Sequence, residues 1–337
     1  MNPAPRFWSD RHPSGRPRGG VVLICLLGLG APWAVGTAPT MSPQTPAADA
    51  ADALAEIMVE AREPRFVAPT RRDQIGRIWA PVFINGRGPF RLVLDTGASH
   101  SAVTAMVALA LGIPTDQSPP VLLRGVTGSA TVPTIHVNTL SVGDVAVDSP
   151  MLPIVPDAMG GAEGILGSEG LANKRIFIDF RHDQITIAYS RGEKTGSDFV
   201  RIPFHSLRGQ LIVVDAMVGE VHTKAIIDTG GQTTIANLAL RDALMRRNET
   251  GKRRPDQITG ATLQVADGEI IAAPAIELGS IKMLDPGVTF ADLYIFKQWK
   301  LTSEPAILIG MDALGVLDAL IIDYRQHELL MRTPKRG

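Results

Sequence analysis

From residue 76 onward, apolar and polar positions alternate in short runs bounded by Gly, Asn, Asp and Pro, which is the period of half-buried β-strands. The runs "RIWAPVFI" and "GPFRLVLD" flank Asn85-Gly86. That dipeptide supplies the positive φ that both central positions of a two-residue hairpin turn need. More strand-like runs follow in "VPTIHVNTLSVGDVAVDS", "RIFIDF" and "QITIAY", with one helix-like interruption at "SAVTAMVALALGI". After the charged Gly/Ser stretch "SRGEKTGSDFVR" the pattern starts again with "LIVVDAMVGEVHTKAIIDTGG", a helix-like "ANLALRDALMRR", and a final "ALIIDYRQHELLM". The pattern predicts a mostly β chain with a few short helices.

The second half echoes the first. "LVLDTGASH" and "AIIDTGGQT" put the same tripeptide at the end of two apolar strands, with Asp95 and Asp228 133 positions apart. "GILG" (164–167) parallels "ILIG" (307–310), and "IDFRHDQITI" parallels "IDYRQHELLM" at nearly equal spacing. A period above a hundred residues means a duplicated domain rather than a solenoid. The expected organisation is a lobe over 76–190, a linker over 191–201, a second lobe over 202–332 and a tail over 333–337.

Ahead of the lobes, Arg6, Arg11, Arg16 and Arg18 precede the apolar run "VVLICLLGLG" and then small residues, the order of an export leader over 1–38. The apolar core is shorter than a spanning helix needs, so a cleaved signal peptide and an uncleaved signal anchor both remain open. The expected location is periplasmic or secreted, with membrane contact only through an uncleaved leader. Residues 39–75 are rich in Ala and Pro and read as a spacer with one short helix at "ADALAEIMVEA". Cys25, the one cysteine, lies in the leader, so disulfides, thiol nucleophiles and thiolate zinc sites drop out. A formal charge of −1 gives no reason to expect a nucleic-acid partner.

An Asp that closes a strand before Thr-Gly can simply accept backbone N–H bonds in a turn. Two copies in two homologous halves change that weighting, because lobes packed about a pseudo-two-fold axis bring equivalent elements together. Asp95 and Asp228 would then face each other. Close carboxylates cannot both ionise comfortably and hold one proton between them. The ionised acid can take a proton from a water lying between them while the protonated acid polarises a substrate carbonyl. Gly97 and Gly230 let backbone N–H groups come close to the carboxyls. The hydroxyls of Thr96 and Thr229 are short enough to bond backbone across the lobe junction.

On these residues the chain resembles the aspartic peptidases, and among them the exported two-repeat bacterial proteins of retropepsin-like type, over roughly residues 76–332. The resemblance implies a bilobal acid-protease fold, mostly β, with two homologous β-barrel-like lobes. It implies a catalytic pair of Asp95 and Asp228, and the split titration of that pair is a property of the family. An apolar-apolar-Gly element is expected to underlie each turn, formed by Ile165, Leu166 and Gly167 and by Leu308, Ile309 and Gly310. A flap hairpin is expected at Gly125, Val126, Thr127 and Gly128, with a counterpart at 258–270; plain surface hairpins are the competing reading. The implied substrate is an extended polypeptide, with no cofactor and no metal. Both acids lie in one chain, so a monomer suffices.

The match frays at the residue after each tripeptide. The pepsin-like pattern has a hydroxyl there that donates to a carboxylate oxygen, whereas this chain has Ala98 and Gly231, with Gln232 a further departure. Fewer donors make the charged form less favourable, so activity is expected to peak between mildly acidic and neutral pH. The departures in the second lobe also support a rival, a non-catalytic peptide-binding module on the same fold. Ser99 and His100 invite a triad, but no Gly-x-Ser-x-Gly elbow is present. A two-carboxylate glycosidase does not call for Thr-Gly after each acid, and aromatics are only 5% of the chain. The basic run "RRNETGKRRP" is expected to be a solvated loop.

Overall fold

The computed structural model describes residues 21–23, 65–69, 76–142, 145–147, 151–157, 159–208 and 211–334. Strands dominate and fall into two sheet-rich lobes, the bilobal retropepsin-like arrangement expected from the repeat. The Asn85-Gly86 turn forms as expected, with φ of 50° and 72°, between the strands Trp79–Ile84 and Arg87–Leu94. The pairing starts at Ile84↔Arg87 and shifts by one residue to reach Val82↔Phe90 and Trp79↔Val93. Gly88 lies at this bulge, where a Cβ would come within 3.0 Å of the Val82 carbonyl oxygen, so only glycine fits.

In each lobe the strand that leads to Asp-Thr-Gly is central. In the first, Arg87–Leu94 pairs in parallel with Gly164–Leu166, and in the second, Val221–Ile227 pairs in parallel with Ala306–Ile309. Where they pair, Leu92–Leu94 against Gly164–Leu166 and Ala225–Ile227 against Ile307–Ile309 are buried, continuous apolar runs, as buried parallel strands require. The first lobe is built on an eight-stranded sheet and the second on an eleven-stranded one, whose count includes Val21–Leu23 as a parallel strand beside Ile258–Gly260. A six-stranded antiparallel sheet joins the lobes: Lys174–Asp179 and Gln184–Tyr189 from the first meet Val200–Pro203, Ala319–Asp323 and Glu328–Arg332.

Several segments differ from the sequence expectation. Arg65–Pro69, within the expected spacer, pairs with Gln184–Tyr189 at the edge of the joining sheet. The helix expected at 51–61 lies outside the described residues, as does most of the leader. In "SAVTAMVALALGI" only Ala105–Leu111 is helical, because Ala102–Thr104 is claimed as a strand by Gly164–Ile165. The expected solvated loop ends early, since Arg253 opens the strand Arg253–Gly260. The linker likewise gives its last two residues to Val200–Pro203. The second helix, Leu238–Arg246, starts where Asn237 accepts a 2.9 Å bond from the Leu240 N–H, the usual way to satisfy an orphan donor.

Candidate active site

Asp95 and Asp228 leave the ends of the two central strands and meet at the lobe junction, each at most 1% exposed. Their positions are set by equivalent ladders: Asp95 N–H bonds Leu166 O at 3.0 Å, and Asp228 N–H bonds Ile309 O at 3.0 Å. The apolar-Gly elements therefore lie directly beside the turns, with Ile165 opposite Val93 and Leu308 opposite Ile226. Gly167 and Gly310 follow at points where a Cβ would run into the backbone of His100 and Thr233.

The threonines tie the lobes together. Thr96 Oγ1 donates to Ile227 O and Thr229 Oγ1 donates to Leu94 O, both at 2.7 Å. Those carbonyls belong to the residues just before the opposite aspartates. Each Thr hydroxyl also accepts the other Thr's backbone N–H at 3.1 Å. All of this is buried, so every lost bond would leave a polar group away from water.

The carboxyls receive unequal support. Asp95 Oδ1 accepts one backbone N–H, from Gly97 at 2.8 Å. Asp228 Oδ1 accepts two, from Gly230 and Gly231, each at 3.0 Å. Gly230 also has to be glycine, because a methyl there would sit within 3.0 Å of the Asp95 carboxyl. Burial, and then the negative charge of Asp228, hold the Asp95 carboxyl well above the ordinary carboxylate range; the Gly97 N–H and the charge of Arg77 work against this. Asp95 Oδ2 is buried and faces no N–H donor, while its carboxyl lies within hydrogen-bonding reach of Asp228. A proton held between the two acids would satisfy it.

Both expected flaps are hairpins, and they meet. Val121–Arg124 pairs with Ser129–Val132, closing through Gly125 N–H to Gly128 O at 2.7 Å. Arg253–Gly260 pairs with Val265–Ala272. Thr127 Oγ1 donates to Gln264 O at 2.7 Å, and Gln264 Nε2 to Ser129 O at 3.2 Å, so the tips are latched to one another. Each tip buries one apolar residue in the other lobe's cluster. Val126 packs with Ile226, Ile295 and Leu308, while Ala261 packs with Val93, Leu123 and Ile165. Val126 O also accepts the Ile295 N–H at 3.0 Å.

Ser99 and His100 bond each other at 3.0 Å on the flank of the turn. Sequence reading missed Arg77, a fully buried cation beside Asp95. It also missed a matched pair of carboxylates, each of which anchors a turn. Glu169 accepts the Ser101 N–H in the first lobe, and Asp312 accepts the Thr234 N–H at 3.0 Å in the second. The 133-residue repeat relates Ser101 to Thr234 and could have led to this second pair.

Comparison with known families agrees with this geometry. A family model described as aspartyl protease matches two regions, residues 80–169 and 214–313, one in each lobe. A search of curated proteins finds no match.

Proposed function

We propose, from the premise that this chain belongs to the aspartyl protease family, that it is an aspartic endopeptidase in which Asp95 and Asp228 share one proton and activate water. The observation that carries this reading is the pairing itself: two buried carboxyls from two lobes, tied by reciprocal threonine bonds under two latched hairpins.

The unequal donors divide the roles. Asp228, with two backbone N–H groups on Oδ1, is the better-held anion and takes a proton from water. Asp95, protonated, hydrogen-bonds the substrate carbonyl oxygen and passes its proton there as the water oxygen bonds to carbon. Return of a proton to the amide nitrogen breaks the C–N bond without a covalent intermediate. The flap hairpins offer strand edges to an extended polypeptide, so the substrate is held largely through its backbone. Export of the chain by its leader would put this activity outside the cytoplasm, and sequencing the amino terminus of the native protein checks that.

Gly231 motivated the rival reading of a binding module with a decayed second lobe. Its N–H nevertheless serves Asp228 as a donor. The deciding assay uses the full chain on unfolded casein, beside Asp95→Asn and Asp228→Asn. Turnover by wild type and at least a thousandfold loss in both variants, roughly the scale of losing a catalytic acid or base, supports the peptidase. Equal turnover in all three rules out the paired-aspartate mechanism, and turnover in none of them supports the peptide-binding reading.

A further inference from the structure

The second hairpin has a partner that the first lacks. Among the described residues, Val121–Arg124 and Ser129–Val132 form a two-stranded sheet of their own. In the second hairpin one edge of Arg253–Gly260 pairs with Val265–Ala272. The other edge takes Val21–Leu23 in parallel, with Val21 opposite Ile258, Val22 opposite Thr259 and Leu23 opposite Gly260. An apolar stretch of the expected leader is thus held as an added strand on a hairpin far from it in sequence.

That stretch of edge lies at the lobe junction. Ile258, where the pairing begins, is buried with Ile226 and Leu308, which belong to the two paired strands that lead to the Asp228 turn. Gly260, where it ends, stands against the first hairpin's tip, so closely that a Cβ would run into the Thr127 hydroxyl. Ala261, the next residue, is buried with Val93 and Ile165, the equivalent pair at the Asp95 turn. The added strand therefore runs along the part of the hairpin that bridges the two acid turns, where an extended polypeptide would find backbone groups to pair with. Its sequence suits that role. "GGVVLICLLGLG" contains no charged residue and includes the β-branched Val21, Val22 and Ile24, which favour extended backbone.

We propose that the edge at Ile258–Gly260 is the polypeptide-binding site of the second lobe, that it takes an uncharged, Val- and Leu-rich extended segment, and that the chain's own Val21–Leu23 fills it in cis while the leader is attached. This rests on the peptidase reading for its consequence in catalysis, but not for the binding itself. At about 3.3 Å per extended residue, the stretch from 24 to 64 is long enough for one chain to reach both this edge and the joining sheet, where Arg65 pairs with Ala188. A three-residue ladder is weak between separate molecules, but a tethered segment has an effective concentration on the order of millimolar, enough to keep it on the edge. Cutting the chain between leader and first lobe ends that advantage, and substrate then meets an open edge. Activity is low while the leader is attached and rises once it is removed.

The test uses the full chain with its leader retained, verified by intact mass, beside Val22→Pro. Proline removes a backbone N–H and fixes φ, which weakens an added strand and leaves both lobes untouched. A fluorescein-labelled hexapeptide of residues 19–24 should bind Val22→Pro at least about fivefold more tightly than wild type, because the cis occupant no longer competes. The same peptide carrying Val22→Glu should bind Val22→Pro at least about tenfold more weakly, since a charge is unfavourable at an apolar junction. Amide hydrogen exchange over 253–260 should be faster in Val22→Pro and slow again when the hexapeptide is added. Equal peptide binding by the two chains, binding by neither, or unchanged exchange overturns the proposal. On casein, kcat/KM should be at least about fivefold higher for Val22→Pro than for wild type. Equal, measurable kcat/KM despite tighter peptide binding would overturn the claim that this edge serves the substrate. Peptide binding and exchange as described, with no casein turnover by either chain, would sink the peptidase reading and leave the binding site standing. Equal turnover together with equal peptide binding would do the reverse.

Discussion

Thr96 and Thr229 each give a backbone N–H to the other's hydroxyl oxygen, at 3.1 Å in both directions. Their hydroxyl protons go to the carbonyls of Ile227 and Leu94, one residue before each aspartate. The separation of the two carboxyls is therefore governed by interlobe hydrogen bonds rather than by either lobe's own packing.

Replacing Thr229 by Val tests this. The change keeps shape but strands Leu94 O and the Thr96 N–H, each at a cost of about 1–3 kcal/mol. A lower Tm and a kcat/KM reduced by at least about a hundredfold are expected, because a small displacement of reacting groups is enough for such a loss. Thr229→Ser should recover most of both. Calorimetry and steady-state kinetics on the three proteins check it.

Asp95→Asn should make the protein more stable near neutral pH while abolishing turnover. The folded-state titration of Asp95 lies well above its unfolded value, chiefly through burial. Such a group contributes its full stability only below the unfolded carboxylate value of about 3.9, and that contribution is lost as pH rises toward the folded one. Removing the acid removes the loss. At pH 7 the variant should melt at least about 2 °C higher, and the gain should vanish below about pH 4. A variant that is less stable at neutral pH would contradict the assignment of the proton to Asp95.

Ala98→Ser is expected to extend activity to lower pH. Asp95 has one backbone donor where Asp228 has two, and a hydroxyl at 98 would add one as in the pepsin-like pattern. A donor to the ionised form lowers the carboxyl's titration, so the acidic limb of the kcat/KM profile moves down while the basic limb moves less. An acidic limb that does not respond would show that position 98 does not reach the pair.

Val126→Asp probes the latched hairpins. Val126 is completely buried in the opposite lobe's apolar cluster, and an unpaired carboxylate there is unfavourable. The tip should withdraw, with KM raised at least about tenfold, because the hairpin no longer closes on substrate. The residue lies in a hairpin tip outside the main core, so Tm should fall by no more than about 4 °C. Limited proteolysis should show earlier cutting within 121–132.

Much of this architecture was legible in the residues. Alternation from residue 76 and the repeated Asp-Thr-Gly announced two β-rich halves, because side-chain period and turn chemistry are local properties. Gly97, Gly230 and the two threonines were readable for the same reason, since their bonds follow from short side chains at a fixed offset from the acid. Arg65–Pro69 was not legible, because an edge strand is made by its partner, and that partner is more than a hundred residues away in sequence.

Arg77 marks the boundary between the two kinds of information. A two-residue turn at Asn85-Gly86, read from sequence, starts the register at Ile84↔Arg87 and would set Arg77 against Leu94, with the neighbouring side chains on the wrong faces. Folding adds a bulge at Gly88, moves the pairing by one residue, and brings Arg77 opposite Asp95. Sequence alone determined that two acid turns exist and which residues they contain. Only the tertiary structure decided that they touch, that one of them has a buried cation beside it and the other a leucine, Leu211, and that two distant hairpins latch to one another. Such relationships depend on register and on packing between lobes, which no local pattern encodes.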